Sequence, residues 1–208
     1  MIERIIEDVR KYYSEKIVEH GPTPQGVDWN GAESQNNRFR QLLNLINNDN
    51  NQLDNFSLLD FGCGYGSLLS YLKKNGLKCN YFGYDISLEM LNQANLIFPN
   101  EGRWINNLSE NIKVDFVVAS GLFNVKQDVN PIAWEKYIFE TLDVINSISI
   151  KGFSFNILSS YSDEKFMKDY LYYASPELFF KQCKLKYSKQ VAILHDYNLY
   201  EFTIIIRK

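Results

Sequence analysis

Apolar residues recur along the first segment at Ile2, Ile5, Ile6, Val9, Tyr13 and Ile17. That spacing puts one apolar stripe on a helix, and Gly21, Pro22 and Pro24 end it. A second helix is predicted from Glu33 to Ile46, with Phe39, Leu42, Leu43 and Ile46 on its buried side. The polar stretch from Asn47 to Asn55 reads as a surface loop. The period then changes. Ser57 to Phe61 is a short apolar run that ends at Gly62, the pattern of a buried strand. A helix follows through Leu68, Leu69 and Leu72, and Gly76 closes it. Next come a strand from Asn80 to Tyr84 and a helix opened by Ser87 as N-cap and carried by Met90, Leu91 and Ala94. A weak strand from Arg103 to Ile105 precedes a strong one from Val114 to Ala119. Helix resumes from Ile132 to about Asn146, and strand from Gly152 to Leu158. Ser175-Pro176-Glu177 starts another helix, with Ser as cap and Pro in the first turn. Two closing strands, Tyr187 to Leu194 and Leu199 to Ile206, lie close enough to form a hairpin.

Strands alternating with helices imply a parallel sheet with right-handed crossovers, and the hairpin adds one antiparallel strand. The expected fold is α/β: a doubly wound, mostly parallel seven-stranded sheet with a reversed last strand. Residues 1–52 are expected to form N-terminal helices acting as a lid, and 53–208 the core of a single compact domain. A chain of 208 residues with 45% hydrophobic content suits that size. Its net charge of -3 supplies no basic footprint for nucleic acid, and the densest run of Lys, 181–189, reads as a solvated flank. Three cysteines and two histidines fit neither a disulfide framework nor a metal site. Met1 to Tyr13 alternates charge with Ile, unlike a signal peptide, and no run nears the ~20 apolar residues of a membrane span. The expectation is a cytoplasmic protein with a small-molecule partner, no metal, no membrane and no nucleic acid. Oligomeric state stays open.

The chemistry concentrates at Asp60-Phe-Gly62-Cys-Gly64-Tyr-Gly66, which closes the first strand and opens a helix. Glycines at alternate positions let backbone approach a ligand without Cβ interference, and the carboxyl end of a strand is where open α/β sheets bind ligands. Asp85 ends the next strand, about 20 residues on, where an acid can accept both hydroxyl protons of a ribose. The plainer alternative is a charge at a helix N-terminus beside Ser87. A dinucleotide loop of the form G-x-G-x-x-G would put its third glycine at position 67, which is Ser67. An NAD-dependent oxidoreductase is therefore disfavoured.

Leu59-Asp-Phe-Gly-Cys-Gly-Tyr-Gly-Ser-Leu resembles the first motif of class I methyltransferases, and Gly83-Tyr-Asp-Ile-Ser-Leu-Glu-Met-Leu-Asn-Gln-Ala94 their second. Val114-Asp-Phe-Val-Val-Ala-Ser-Gly121 is similar to their fourth strand and its exit, and the reversed hairpin matches. The resemblance spans about Leu53 to Lys208. It implies S-adenosylmethionine as cofactor, with Asp60, Gly62 and Gly64 facing its methionine part within the loop that ends at Gly66. It also implies Asp85 at the ribose, Ile86 packed on the adenine, and Asn106 or Asn107 at the adenine edge. No acidic residue follows the weak third strand, a departure from the family's adenine contact. Gly26 to Asn30 and Ser34 to Phe39 resemble a group of small methyltransferases associated with surface-polysaccharide biosynthesis. The acceptor implied is a sugar, a sugar nucleotide or a phosphorus-containing group. The alternatives are a protein or RNA acceptor, or a non-catalytic nucleoside-binding module.

Trp29, Gln35 and Arg38 could form part of a lid; the last two are spaced i, i+3 on one helix face. Gln35 is assigned to the cofactor and Trp29 to the acceptor. Arg38 could bind the cofactor carboxylate or an anionic substrate, or be an ordinary surface residue. Methyl transfer from a sulfonium is an in-line displacement, so the protein mainly aligns the nucleophile and excludes water. A base is needed only for a poorly acidic acceptor. The final hairpin turn, His195-Asp196-Tyr197-Asn198, should lie on the cofactor's edge of the sheet. His195 is the candidate base, oriented by Asp196; the commoner reading is an ordinary turn. Ser120 and Asn124 follow the fourth strand and are assigned to cofactor and acceptor. Tyr161, Tyr170 and Tyr173 lie in the segment after the fifth, where they could hold a small acceptor or simply cover the sheet.

Overall fold

The computed structural model describes residues 2–29, 31–46, 55–108 and 112–208. The predicted surface loop, apart from Asn55, and the predicted boundary at residues 52/53 lie outside the described residues. The chain runs α1 (Ile2–His20), a 3-10 turn (Pro24–Val27), α2 (Ala32–Leu43), β1 (Ser57–Phe61), α3 (Ser67–Lys74), β2 (Asn80–Tyr84), α4 (Leu88–Ile97), β3 (Arg103–Ile105) and β4 (Val114–Ala119). It continues with α5 (Pro131–Ile148), β5 (Ser149–Leu158), a 3-10 turn (Glu164–Phe166), α6 (Pro176–Lys186), β6 (Gln190–Leu194) and β7 (Glu201–Arg207). Helix starts follow local chemistry. Ser87 Oγ accepts the Met90 N–H at 3.2 Å, and Ser175 Oγ accepts that of Leu178 at 3.2 Å with Pro176 in the first turn.

The seven strands form one sheet in the order β3-β2-β1-β4-β5-β7-β6. All are parallel except β7, which pairs antiparallel with both β5 and β6. The predicted architecture therefore stands. Alternation along each strand divides the core. Leu59, Phe61, Val117, Phe153, Phe155 and Ile204 face α1, α5 and α6. Leu58, Phe116, Val118 and Ile205 face α2 and α3.

Several boundaries differ from the sequence pattern, among them the end of α2, which stops at Leu43 rather than Ile46. The predicted gap between Asn146 and Gly152 is absent, because β5 begins at Ser149 directly after α5. Gly152, expected to open the strand, lies inside it at a point of close approach. Its φ is 150°, and a Cβ there would sit 2.3 Å from the carbonyl oxygen of Ile206 on β7. The hairpin strands are also shorter than predicted: Tyr187 ends α6, and Leu199 and Tyr200 belong to the turn.

The link from β3 to β4 spans residues 106–113, and no helix occurs among its described residues. A parallel crossover normally covers the sheet with one. Here α1 supplies the cover. Its Ile5 and Val9 belong to the apolar cluster against which Phe82 and Tyr84 of β2, Ile105 of β3, and Leu108 and Ile112 of the link also pack. The N-terminal helix thus becomes a layer of the core beside the sheet's carboxyl edge.

Gly152→Ala should lower stability by ~2 kcal/mol or more, since its Cβ would meet backbone that cannot move aside without breaking the β5–β7 ladder. A melting temperature within one degree of wild type would show that β7 can yield.

Candidate active site

The turn from β1 into α3 is pinned to β2 by backbone hydrogen bonds. The backbone N–H groups of Gly62 and Cys63 both donate to the Tyr84 carbonyl, at 2.7 and 2.9 Å. Gly62 and Gly64 have φ of 82° and 54°, which side chains rarely adopt. Gly66 has a different task. It caps α3, and a Cβ on it would lie 2.7 Å from the ring of Trp104. Its missing side chain makes room for Trp104, away from the ligand side of the turn.

Asp85 follows β2 and is buried. Oδ2 accepts the Gly64 N–H at 2.8 Å and Oδ1 accepts the Ser87 N–H at 2.9 Å. It therefore serves its own helix start and the glycine turn together. Each carboxylate oxygen keeps a further lone pair for a ligand. Burial pushes its pKa up to about 6, with the Ser87 and Gly64 N–H groups pulling the other way. Asp60, at the end of β1, is also buried and accepts the Tyr81 hydroxyl at 2.8 Å. Burial lifts its pKa to about 7 against that hydrogen bond, with the nearby Asp85 charge raising it further.

These groups line a cavity of about 380 Å³, within the usual range for small-molecule sites. Its floor is the glycine turn, Asp60, Asp85, Ile86 and the Ser120–Leu122 exit of β4. Its roof comes from the first 40 residues: Ile2, Ile6, Val9 and Tyr13 of α1, then Val27, Trp29, Gln35 and Phe39. α5 closes the remaining side with Tyr137, Glu140, Thr141 and Val144. The Ser120 hydroxyl is buried and has no hydrogen-bond partner among the described residues, a group suited to a polar ligand atom. Two buried carboxylates, bare backbone, apolar walls and one free hydroxyl fit a ligand with a diol, an aromatic ring and a positive centre.

Of the residues singled out from sequence, Asp60, Gly62, Gly64, Asp85, Ile86, Ser120, Gln35 and Trp29 line this cavity. Gln35 Nε2 donates to Ser67 Oγ at 3.1 Å. The rest lie elsewhere. Asn106 and Asn107 are exposed, and the next residue, Leu108, is the one that reaches the wall. Arg38 is buried with its charge met by Glu201 at 2.8 Å. Asn124 is used structurally: its Oδ1 accepts the Leu158 N–H at 3.1 Å and its carbonyl the Tyr172 N–H at 2.8 Å. Tyr161 is exposed and bonded to Glu177. Tyr170 is also exposed, its hydroxyl accepting from Lys168 Nζ at 3.2 Å. The Tyr173 hydroxyl accepts the Lys168 N–H at 3.0 Å.

His195 and Asp196 are exposed and outside the cavity. The turn does lie on the carboxyl edge, because β6 runs parallel to β5. The error of the sequence reading is lateral. β6 is the outermost strand, three places from β4, or roughly 14 Å at ~4.8 Å per strand. An N-terminal lid was expected, but not which residues of α1 line the cavity, nor that α5 closes its other side. The stripe on α1 was visible, but nothing in it says which face of the sheet it covers.

The model of the family described as "Methyltransferase domain" matches residues 9–149. A Mycobacterium tuberculosis protein named "Putative methyltransferase Rv1506c" is 50% identical over 162 residues, which cover 76% of this chain and 96% of that protein. Among solved structures, a DhpI-SAM-HEP complex matches with a TM-score of 0.64 at 13% identity, over 98% of each chain. The plantazolicin methyltransferase BpumL, in complex with SAH, matches with a TM-score of 0.59 at 13% identity, over 100% of this chain and 99% of its own. These two likenesses are likenesses of fold.

Folded Asp60 and Asp85 hold protons up to about pH 7 and about 6, whereas an ordinary Asp releases its near 3.8. Over that window the unfolded chain binds fewer protons than the folded one, so stability falls as pH rises through it. Asp60→Asn removes one of the two titrations. Between pH 5 and 8 the variant should lose less stability in denaturant than wild type, by ~1 kcal/mol or more. Parallel stability curves would show that Asp60 ionises normally.

Proposed function

The chain belongs to the methyltransferase-domain family, and from that premise we propose that it moves the methyl group of S-adenosylmethionine to a small polar acceptor. The acceptor chemistry we favour is a sugar, a sugar nucleotide or a phosphorus-containing group of surface-polysaccharide biosynthesis. The observation that carries the cofactor half of this reading is the pair of buried carboxylates, Asp60 and Asp85, beside the glycine turn in one cavity.

Within that cavity Asp85 would take the ribose diol on its free lone pairs, while its bonds to Gly64 and Ser87 keep it aimed. Ile86 and Leu108 would clamp the adenine between apolar surfaces. Gly62 and Gly64 would let the methionine part lie against backbone, and Ser120 Oγ would bond a polar atom that otherwise has no place there. Asp60, its pKa raised by burial, would ionise more readily once a positive centre is bound near it. What the cofactor supplies when bound is a methyl group already activated by its sulfonium. The protein's share is then alignment and the exclusion of water, and the roof of α1, Trp29 and Gln35 suits the second.

The wall carries no histidine, lysine or arginine among the described residues. An acceptor oxygen that is already anionic, such as that of a phosphate or carboxylate, would need no base. The mostly apolar roof, at the end of a chain with net charge -3, favours a small acceptor over an RNA.

Calorimetric titration with S-adenosylhomocysteine should give a single site, and Asp85→Ala should weaken it by at least ~1 kcal/mol through the loss of charge-assisted hydrogen bonds. Unchanged affinity would reject the ribose assignment. Once an acceptor is found with methyl-labelled cofactor, His195→Ala should keep turnover within about twofold of wild type, since an exposed group outside the cavity has no proton to take. A loss of a hundredfold or more would return His195 to the chemistry.

A further inference from the structure

Two ionisable side chains are buried beside the cavity without lining it. Arg38, on the inner face of α2, donates from Nε to Oε2 of Glu201 at 2.8 Å, and Glu201, the first residue of β7, is fully buried. Taking two charges out of water usually costs as much as their attraction returns. Arg38 also keeps Nη1 buried without a hydrogen-bond partner among the described residues. Stability is thus a poor reason for the pair, and its contacts point to another.

From the pair, two lines of contact run to one place. The Arg38 guanidinium stacks on Trp29, with Cζ 3.8 Å from the ring centroid. That ring lies so close to Gly121 that a Cβ there would meet it at 2.2 Å. On the other side, Oε1 of Glu201 accepts from Asn156 Nδ2 at 2.9 Å, and Oδ1 of Asn156 accepts the Gly121 N–H at 2.7 Å. The contacts close a ring through Gly121, Trp29, Arg38, Glu201 and Asn156. Trp29 and Gly121 line the cavity; the other three do not.

We propose that Arg38, Glu201 and Asn156 are positioning residues: they fasten Trp29 shut against the exit of β4 and so set how fast the cofactor enters and leaves. The proposal rests on the cofactor reading given above. Arginine is the residue such a fastening needs, because its planar group can stack on the indole while its edge meets a carboxylate. Lysine can make the ion pair but not the stack. Gly121 is needed at the other end, where any side chain would displace the indole.

The test is the release rate of S-adenosylhomocysteine, read by rapid mixing alongside the melting temperature. Glu201→Gln alone would strand the Arg38 charge, so the informative variant is the pair Arg38→Met with Glu201→Gln, which removes both charges. It should melt within a few degrees of wild type yet release the ligand at least tenfold faster. Trp29→Ala should show the same acceleration, and adding it to the double variant should accelerate release no further. If the double variant does not fold, Arg38→Lys serves instead, with release several-fold faster expected. A folded double variant, or Arg38→Lys, that releases at the wild-type rate would overturn the proposal. A wild-type protein that binds no S-adenosylhomocysteine would instead remove the cofactor reading, and the proposal with it.

Discussion

Asp85 is where the structure is tied together. One buried carboxylate takes an N–H from the glycine turn after β1 and another from Ser87, the N-cap of α4. The Tyr84 carbonyl beside it takes two more from the same glycine turn. Four backbone donors from two separate connections thus converge on adjacent residues at the end of β2. Each of those buried donors is paired, and the pairing helps to hold the shape of the turn. Burial makes the carboxylate reluctant to ionise, and the positive end of α4 offsets part of that cost. These bonds hold the turn, the carboxylate and the start of α4 in one fixed relation.

The second constraint is a gap in the layers. A sheet face of apolar residues must be covered, and between β3 and β4 the described chain carries no helix to cover it. α1 fills that place with Ile5 and Val9, and by doing so brings Ile2, Ile6 and Tyr13 over the cavity. The N-terminal segment then continues across the glycine turn to Trp29 and α2. Packing of the core and closure of the site are therefore one arrangement, and the residues that roof the cavity are held by the interactions that stabilise the fold. Ser14 illustrates the coupling: its hydroxyl meets Ser87 Oγ at 2.9 Å and Glu89 at 2.7 Å, so α1 is anchored at the same N-cap residue whose N–H Asp85 accepts.

Glycine shows how far a residue type can be read without its neighbours. Gly62, Gly64 and Gly66 look alike in the chain, yet the first two open the backbone toward the cavity while the third makes room for Trp104. Gly83 does the same for Trp104 from β2. Gly152 reads as the start of a strand but is a crossing point with β7 inside one. Each needs the missing Cβ, for a reason held by a residue distant in sequence. Asn106 and Asn107 fail for a related cause: a polar residue near the right strand end is common, and only the path of the chain decides which of three successive side chains faces in.

By itself the sequence determined whatever depends on near neighbours. The alternation of strand and helix, the reversed final strand, the strained turn at Gly62 and Gly64, the acid at Asp85 and the caps at Ser87 and Ser175 all follow from interactions spanning a few residues or one β-α unit. Only the tertiary structure decided what lies between elements far apart in the chain. It put α1 in the place of a crossover helix, buried Arg38 against Glu201, and set β6 at the outer edge of the sheet. Those outcomes depend on which surfaces meet. A periodic pattern states that a face is apolar but carries no record of its partner.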